Sequence, residues 1–233
     1  MNKYAPIQHK QLKRGVLNNM KELIIEKIHY SEIYEVADFL TDTFNTNPAY
    51  SIIFKDKQKQ KEGLLWLFKT SLILNNNKQT LTSVIKEKDT GKIIGTFTLI
   101  PPQGVKNGIS IYLKIGILGF ISKFGLRTLI RMLDLDSRNK LSLAKSMQIS
   151  EYYYLSMVVI REEYRGTGIG SYAIKFAIRE LISSNHSCNI IGLTTQLPEN
   201  VTFYSRLGFD KLDEGYINFK GDRYYNYNMK LNI

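Results

Sequence analysis

The chain has 233 residues, 43% hydrophobic and 12% aromatic, which suits a mixed domain with a substantial core and excludes disordered, collagen-like and proline-rich classes. Thirty-two Lys and Arg against 21 Asp and Glu leave a formal charge of +11, favouring anionic partners, whether nucleic acid, acidic membrane or a phosphorylated small molecule. The lone cysteine, Cys188, excludes a disulfide framework, and His9, His29 and His186 show no ligand spacing, so a reducing, cytoplasmic setting without a metal is expected.

Residues 1–21 read as a basic arm lacking the apolar block of a secretory signal, and residues 22–233 as a single domain. A short Ile-rich strand at 22–29 leads to Ser31, placed to cap a helix. Its Ile33, Val36, Ala37, Leu40 and Phe44 recur at helical spacing, and it ends near Asn47-Pro48. A second helix is predicted over 59–74, from Leu64, Leu65, Leu67, Phe68, Leu72 and Ile73, with a stop at Asn75-Asn76-Asn77. TLTSVIKEK (80–88) and KIIGTFTLI (92–100) then form a hairpin about Asp89-Thr90-Gly91, with Gly95 marking a bulge.

Residues 103–150 read as a helical insertion. Within it, 109–148 is helical with an interruption at 116–125, and Leu126, Leu129, Ile130 and Leu133 form an apolar stripe. The apolar stretch 109–121 contains Lys114 and is shorter than the about 20 residues of a membrane span, so no membrane contact is expected.

YYYLSMVVI (152–160) is an almost continuous apolar run, as in a strand buried on both faces. A helix over 168–183 follows, turning Ala173, Ile174, Ala177, Ile178, Leu181 and Ile182 inward. Then come a strand at 189–195, a short helix at 199–207 and strands at 209–219 and 223–231. The predicted fold is mixed α/β: a central, mostly antiparallel sheet with helices on both faces.

Three alternating glycines in Arg165-Gly166-Thr167-Gly168-Ile169-Gly170 join the buried strand to the helix. They permit positive φ and close approach, and the first helical turn offers unpaired N–H groups, so main chain plus Arg165 can cradle a phosphate. Ser171 breaks the dinucleotide pattern, and no Gly-Lys-Ser/Thr is present. A tight turn without a ligand is the plain alternative.

Here the sequence resembles the GNAT superfamily of acyl-CoA-dependent N-acetyltransferases. The family's Arg/Gln-x-x-Gly-x-Gly/Ala loop matches Arg165, Gly168 and Gly170, and its later Asn, Tyr and Gly-Phe match Asn200, Tyr204, Gly208 and Phe209 in ENVTFYSRLGF. The likeness is strong over about 150–210 and weaker over 22–100. The 109–148 stretch and the TTQLPENVTFYSRLGF segment look most like the puromycin N-acetyltransferase-type branch.

The resemblance implies an acetyl-CoA slot between two splayed parallel strands. Val158, Val159 and Ile160 would pair with the pantetheine, and Arg165, Gly166, Thr167, Gly168, Ile169, Gly170 and Ser171 would hold the pyrophosphate. An amide near Val159 would meet the oxyanion. Tyr204 would be the general acid, a phenol protonated at neutral pH. Asn200 would bond the pantetheine arm or cap the short helix. For a general base, Glu151 and Tyr153 precede the strand, with Glu151 the favoured of the two; a solvated carboxylate at a strand start is the stronger plain reading of Glu151, and a water relay or bulk solvent is the alternative acceptor of the proton. Glu162 replaces the family's proline, and with Glu163 it is unfavourable beside phosphate unless both point outward. The implied partners are acetyl-CoA and an amine acceptor, with the aromatic C-terminal strands offering an edge for a homodimer. Two readings of other classes stand beside it: a CoA-binding sensor without catalysis, and a basic nucleic-acid-binding module.

Overall fold

The computed structural model describes residues 23–54, 56–76, 80–105, 111, 114–149, 151–183 and 188–233; the expected basic arm at 1–21 lies outside them. Strand β1 (Leu23–Lys27) leads through a 3-10 turn (Tyr30–Glu32) to helix α1 (Ile33–Phe44). The turn is closed by Glu32, whose carboxylate accepts from the His29 backbone N–H at 2.8 Å, rather than by the predicted Ser31. Asn47 caps the short α2 (Pro48–Ser51) by accepting from Ala49 N–H at 3.0 Å, and Asp56 caps α3 (Lys57–Asn75).

The hairpin β2 (Leu81–Glu87) and β3 (Ile93–Ile100) forms as predicted, with its register shift opposite Gly95. The insertion contains α4 (Ile117–Phe124) and α5 (Leu126–Met147), so the expected interruption at 116–125 is mostly helix. Only its borders break, at Gly116 and Gly125, with φ of +73° and +85° that glycine adopts without strain. The predicted apolar stripe also divides. Leu129 is buried with Met132, Leu135, Leu143 and Met147, while Leu126, Ile130 and Leu133 stand on the outward face at 55%, 45% and 63% exposure. Apolar residues occur on both faces of α5, so periodicity alone did not select the one that packs.

The later elements are β4 (Tyr153–Ile160), α6 (Ile169–Ser183), β5 (Ile190–Thr195), α7 (Pro198–Ser205), β6 (Asp210–Phe219) and β7 (Asp222–Asn232). Ile182, predicted inward, is exposed in the last turn of α6. The seven described strands make one sheet in the order β1-β2-β3-β4-β5-β7-β6, antiparallel at every step except β4–β5. One core fills the face under α1, α3 and α5, with Leu40, Leu64, Phe68 and Val84. The other fills the face under α6 and α7, with Phe97, Leu155, Ile174 and Leu193. This is the mixed α/β sheet covered on both faces that the alternation of elements predicts.

Candidate active site

Strands β4 and β5 pair only at Tyr153↔Ile191 and Tyr154↔Gly192, although β4 runs on to Ile160 and β5 to Thr195. Their separation coincides with a bulge in β4. Ser156 faces Thr98 and Val159 faces Thr96, so Met157 and Val158 together oppose Phe97, and Met157 takes φ +51°. A bulge bends its strand and sharpens the twist, which carries β4 away from β5. On the other side β3 holds β4 close through Gly95. A Cβ there would lie 2.6 Å from Ile160 Cδ1 and 2.9 Å from the Val159 carbonyl oxygen.

Beyond Tyr154, β4 backbone groups directed toward β5 therefore have no ladder partner across the gap. Ser156, Met157, Val158 and Ile160 are only half-buried in the middle of the sheet, whereas Val159 packs into the α1–α3 core. An opened parallel pair presents main chain to an extended ligand as a sheet edge does.

At the mouth of this gap, β4 passes into a 3-10 turn (Glu162–Tyr164) fixed from two sides. Tyr164 donates to Glu87 at 2.6 Å, and the Arg161 Nε donates to the Ile93 carbonyl at 2.6 Å, with its guanidinium over the Phe39 ring. Both acidic residues are exposed, and Glu163 turns to Lys92 at 3.1 Å. Gly166 and Gly168 follow at φ +75° and +90°. Gly170 serves a different purpose, since a Cβ there would sit 3.3 Å from the Phe203 ring of α7. The first bond of α6 runs from Tyr172 N–H to the Gly168 carbonyl at 2.9 Å, leaving the amides of Ile169, Gly170 and Ser171 ahead of the helical ladder. Arg165 is exposed there, its Nε on the Ile160 carbonyl at 3.1 Å. Thr167 closes the loop by donating to the Tyr164 carbonyl.

Tyr204 lies on α7, beside Phe203 and Phe209 in edge-on contacts. It is buried, and its hydroxyl has no hydrogen-bond partner among the described residues. Burial first, then the neighbouring Tyr154, pushes its phenol well above the ordinary value. Tyr154 is pushed up to about 12 by burial, against the opposing effect of its 3.2 Å hydrogen bond with Thr194 Oγ1. Both phenols are protonated at neutral pH. Asn200 donates to Thr195 Oγ1 at 3.0 Å and sits inside α7, whose first cap is Leu197, so the capping alternative does not hold.

The structure thus gathers Val158, Ile160, the 165–171 loop, Asn200 and Tyr204 at the open end of the β4–β5 gap. Glu151 lies elsewhere. It is exposed before β4, beside Gln148, Ile149, Cys188 and Asn189 at the paired end of the strands. Six residues of extended chain separate it from Met157, about 20 Å at ~3.3 Å per residue. Tyr153 is buried in the α6 core. Tyr154, Ser156 and Thr194, all at the gap, were not singled out from sequence, where nothing marks them among 15 tyrosines and ordinary strand residues.

A seven-stranded sheet parted at the one parallel pair among the described strands, with a glycine loop feeding a helix at the opening, marks an acetyltransferase-type mixed α/β fold. The profile of the Acetyltransferase (GNAT) family matches residues 48–209, and the chain belongs to that family. Comparison with curated proteins gives no match. Among solved structures, the histone acetyltransferase HPA2 and related acetyltransferase from Corynebacterium glutamicum is similar at TM-score 0.59 and 18% identity, covering 90% of this chain and 95% of that one. The Drosophila melanogaster polyamine N acetyltransferase is similar at TM-score 0.56 and 10% identity, over 91% and 100%. Arabidopsis thaliana NAA60 in complex with acetyl-CoA is similar at TM-score 0.51 and 12% identity, over 91% and 98%. No described helix is long and apolar enough to cross a membrane.

Proposed function

We propose that the protein transfers an acetyl group from acetyl-CoA to the amine of a small molecule, both substrates being bound together. The observation that carries this reading is the parting of β4 from β5 beyond Tyr154 and Gly192 at a bulge. In it, the free edge of β4 at Val158–Ile160 pairs with the pantetheine arm. Its pyrophosphate rests on the leading amides of α6, whose partial positive charge and fixed orientation suit an anion, with Arg165 alongside. The chain's charge of +11 assists capture of a ligand bearing three phosphates.

The thioester then lies at the bulge, where a β4 amide next to Val159 stabilises the negative oxygen that forms as the amine nitrogen attacks the carbonyl carbon. The C–N bond forms, the C–S bond breaks, and the departing thiolate takes its proton from the Tyr204 hydroxyl. A phenol raised by burial is fully protonated for this role; giving its proton to a less basic thiolate is uphill, and the transfer is carried forward because the desolvated tyrosinate is promptly reprotonated. Tyr154 does not act as the base at neutral pH for the same reason. With Glu151 at the other end of β4, the amine attacks in its neutral form, the proton that its nitrogen must then lose leaves to water, and water in turn returns one to Tyr204; aligning the amine about 3–3.5 Å from the carbonyl supplies much of the acceleration.

Calorimetric titration with acetyl-CoA, followed by a thiol-release assay over an amine panel, tests the reading. Saturable heat and amine-dependent thiol release are expected; no heat on mixing overturns it.

A further inference from the structure

Building on that reading, we infer that the acceptor is a weakly basic amine, uncharged when bound, on a molecule recognised through hydroxyl or amide groups, and not a polycation. The inference rests on the face of the gap opposite α6. There Thr82 faces Thr98 and Thr98 faces Ser156, while on the far side of the parting Thr194 faces Asn228. Thr96, two residues from Thr98, faces Val84 and Val159, which places this row on the side of α1 and α3.

From its edge a chain of neutral amides continues. Asn47 donates to Gln196 at 3.3 Å, Gln196 to Asn226 at 2.9 Å, and Asn226 to Asn228 at 2.9 Å. Asn228 in turn donates to Ser142 and Ser146 on α5. The Ser156 hydroxyl, one residue before the bulge, is buried and has no partner among the described residues. An unpaired hydroxyl at the reaction centre of an otherwise bonded network is a group reserved for a ligand.

The amide chain meets a carboxylate only at its outer edge, where Ser146 donates to the exposed Asp213 at 3.4 Å. Among the described residues the buried polar ones are all Thr, Ser, Asn or Gln. Of the 21 acidic residues, only Glu22 lies outside the described ones. The acid felt by the Tyr50 and Tyr154 hydroxyls is Asp136, which is exposed and held by Lys140 at 2.7 Å. An ammonium drawn up to Ser156 loses its hydration without meeting a buried carboxylate among the described residues, and a polycation is repelled by a +11 chain before it arrives. A weakly basic amine gives up its proton to solvent at little cost before it enters, and water takes the proton that its nitrogen sheds after attack. At a given pH an α-amino group, with pKa ~7.7, has roughly 500-fold more neutral form than an alkylamine near 10.4.

The test compares kcat/KM for glycinamide and 4-aminobenzamide with that for putrescine and spermidine, after acetyl-CoA binding has been checked by calorimetry. Expected is a preference of at least ~10-fold for one of the two weakly basic probes. In Ser156→Ala, acceptor kcat/KM falls by ~10-fold while acetyl-CoA affinity and folding hold, since the hydroxyl bonds nothing in the free protein. Preference for a polyamine, acetyl-CoA binding without turnover of either weakly basic probe, or a Ser156→Ala variant with unchanged acceptor kinetics overturns the acceptor assignment and leaves the donor site standing. Absence of acetyl-CoA binding in the parent overturns the reading beneath it.

Discussion

Replacing Tyr204 by Phe separates a catalytic hydroxyl from a packing ring, because the ring contacts with Phe203 and Phe209 survive while the hydroxyl has no partner among the described residues to lose. Stability at neutral pH should hold to within about 1 kcal/mol, since the hydroxyl bonds no described residue and the ring packing is kept. Catalysis should fall by ~10²-fold or more in kcat, the contribution of a positioned general acid, with KM for acetyl-CoA little changed. An alkaline signature accompanies it. The folded phenol is raised, so the unfolded one ionises first, near 10. Its share of stability is complete below that pH and is lost above it. At pH 11 the parent has lost on the order of 1 kcal/mol that the Phe variant keeps. Thiol release at saturating substrates, with denaturant melts at pH 7.5 and 11, reads all three effects. A variant whose kcat stays within about threefold of the parent refutes the assignment of Tyr204 as the proton donor, whatever its melts show.

Gly168 sits at φ +90°, where an L residue is strained by about 1–2 kcal/mol, so Gly168→Ala should lower the melting temperature slightly and raise KM for acetyl-CoA ~10-fold with kcat nearly unchanged, as steady-state kinetics will show. Glu151→Gln should leave kcat and its pH profile within about twofold of the parent, because Glu151 lies ~20 Å along β4 from the bulge; a collapse of kcat above neutral pH would return it to the mechanism. Gly95→Val places a Cβ 2.6 Å from Ile160 Cδ1 and 2.9 Å from the Val159 oxygen, where backbone cannot yield cheaply. It should destabilise by about 1–3 kcal/mol in urea melts and weaken acetyl-CoA binding, since β4 must shift at the bulge.

What could be read from residue order is local in origin. Positive φ at Gly166 and Gly168 needs glycine, a buried strand reads as an apolar run, and a helix start exposes amides whatever surrounds it, so the 165–171 loop and the order of strands and helices were legible without coordinates. The packing face of α5 was not, because Leu126 and Leu129 are equally apolar and only the sheet beneath distinguishes them. The gap itself is less local still. It depends on one extra residue in β4 set against Phe97, on Gly95 admitting that strand, and on β5 arriving from more than thirty residues away with only two paired positions. Register between distant strands is set by the packing of whole faces, not by any short pattern. Tertiary structure alone therefore brought Ser156, Tyr154 and Thr194 to the opening and left Glu151 at the far end.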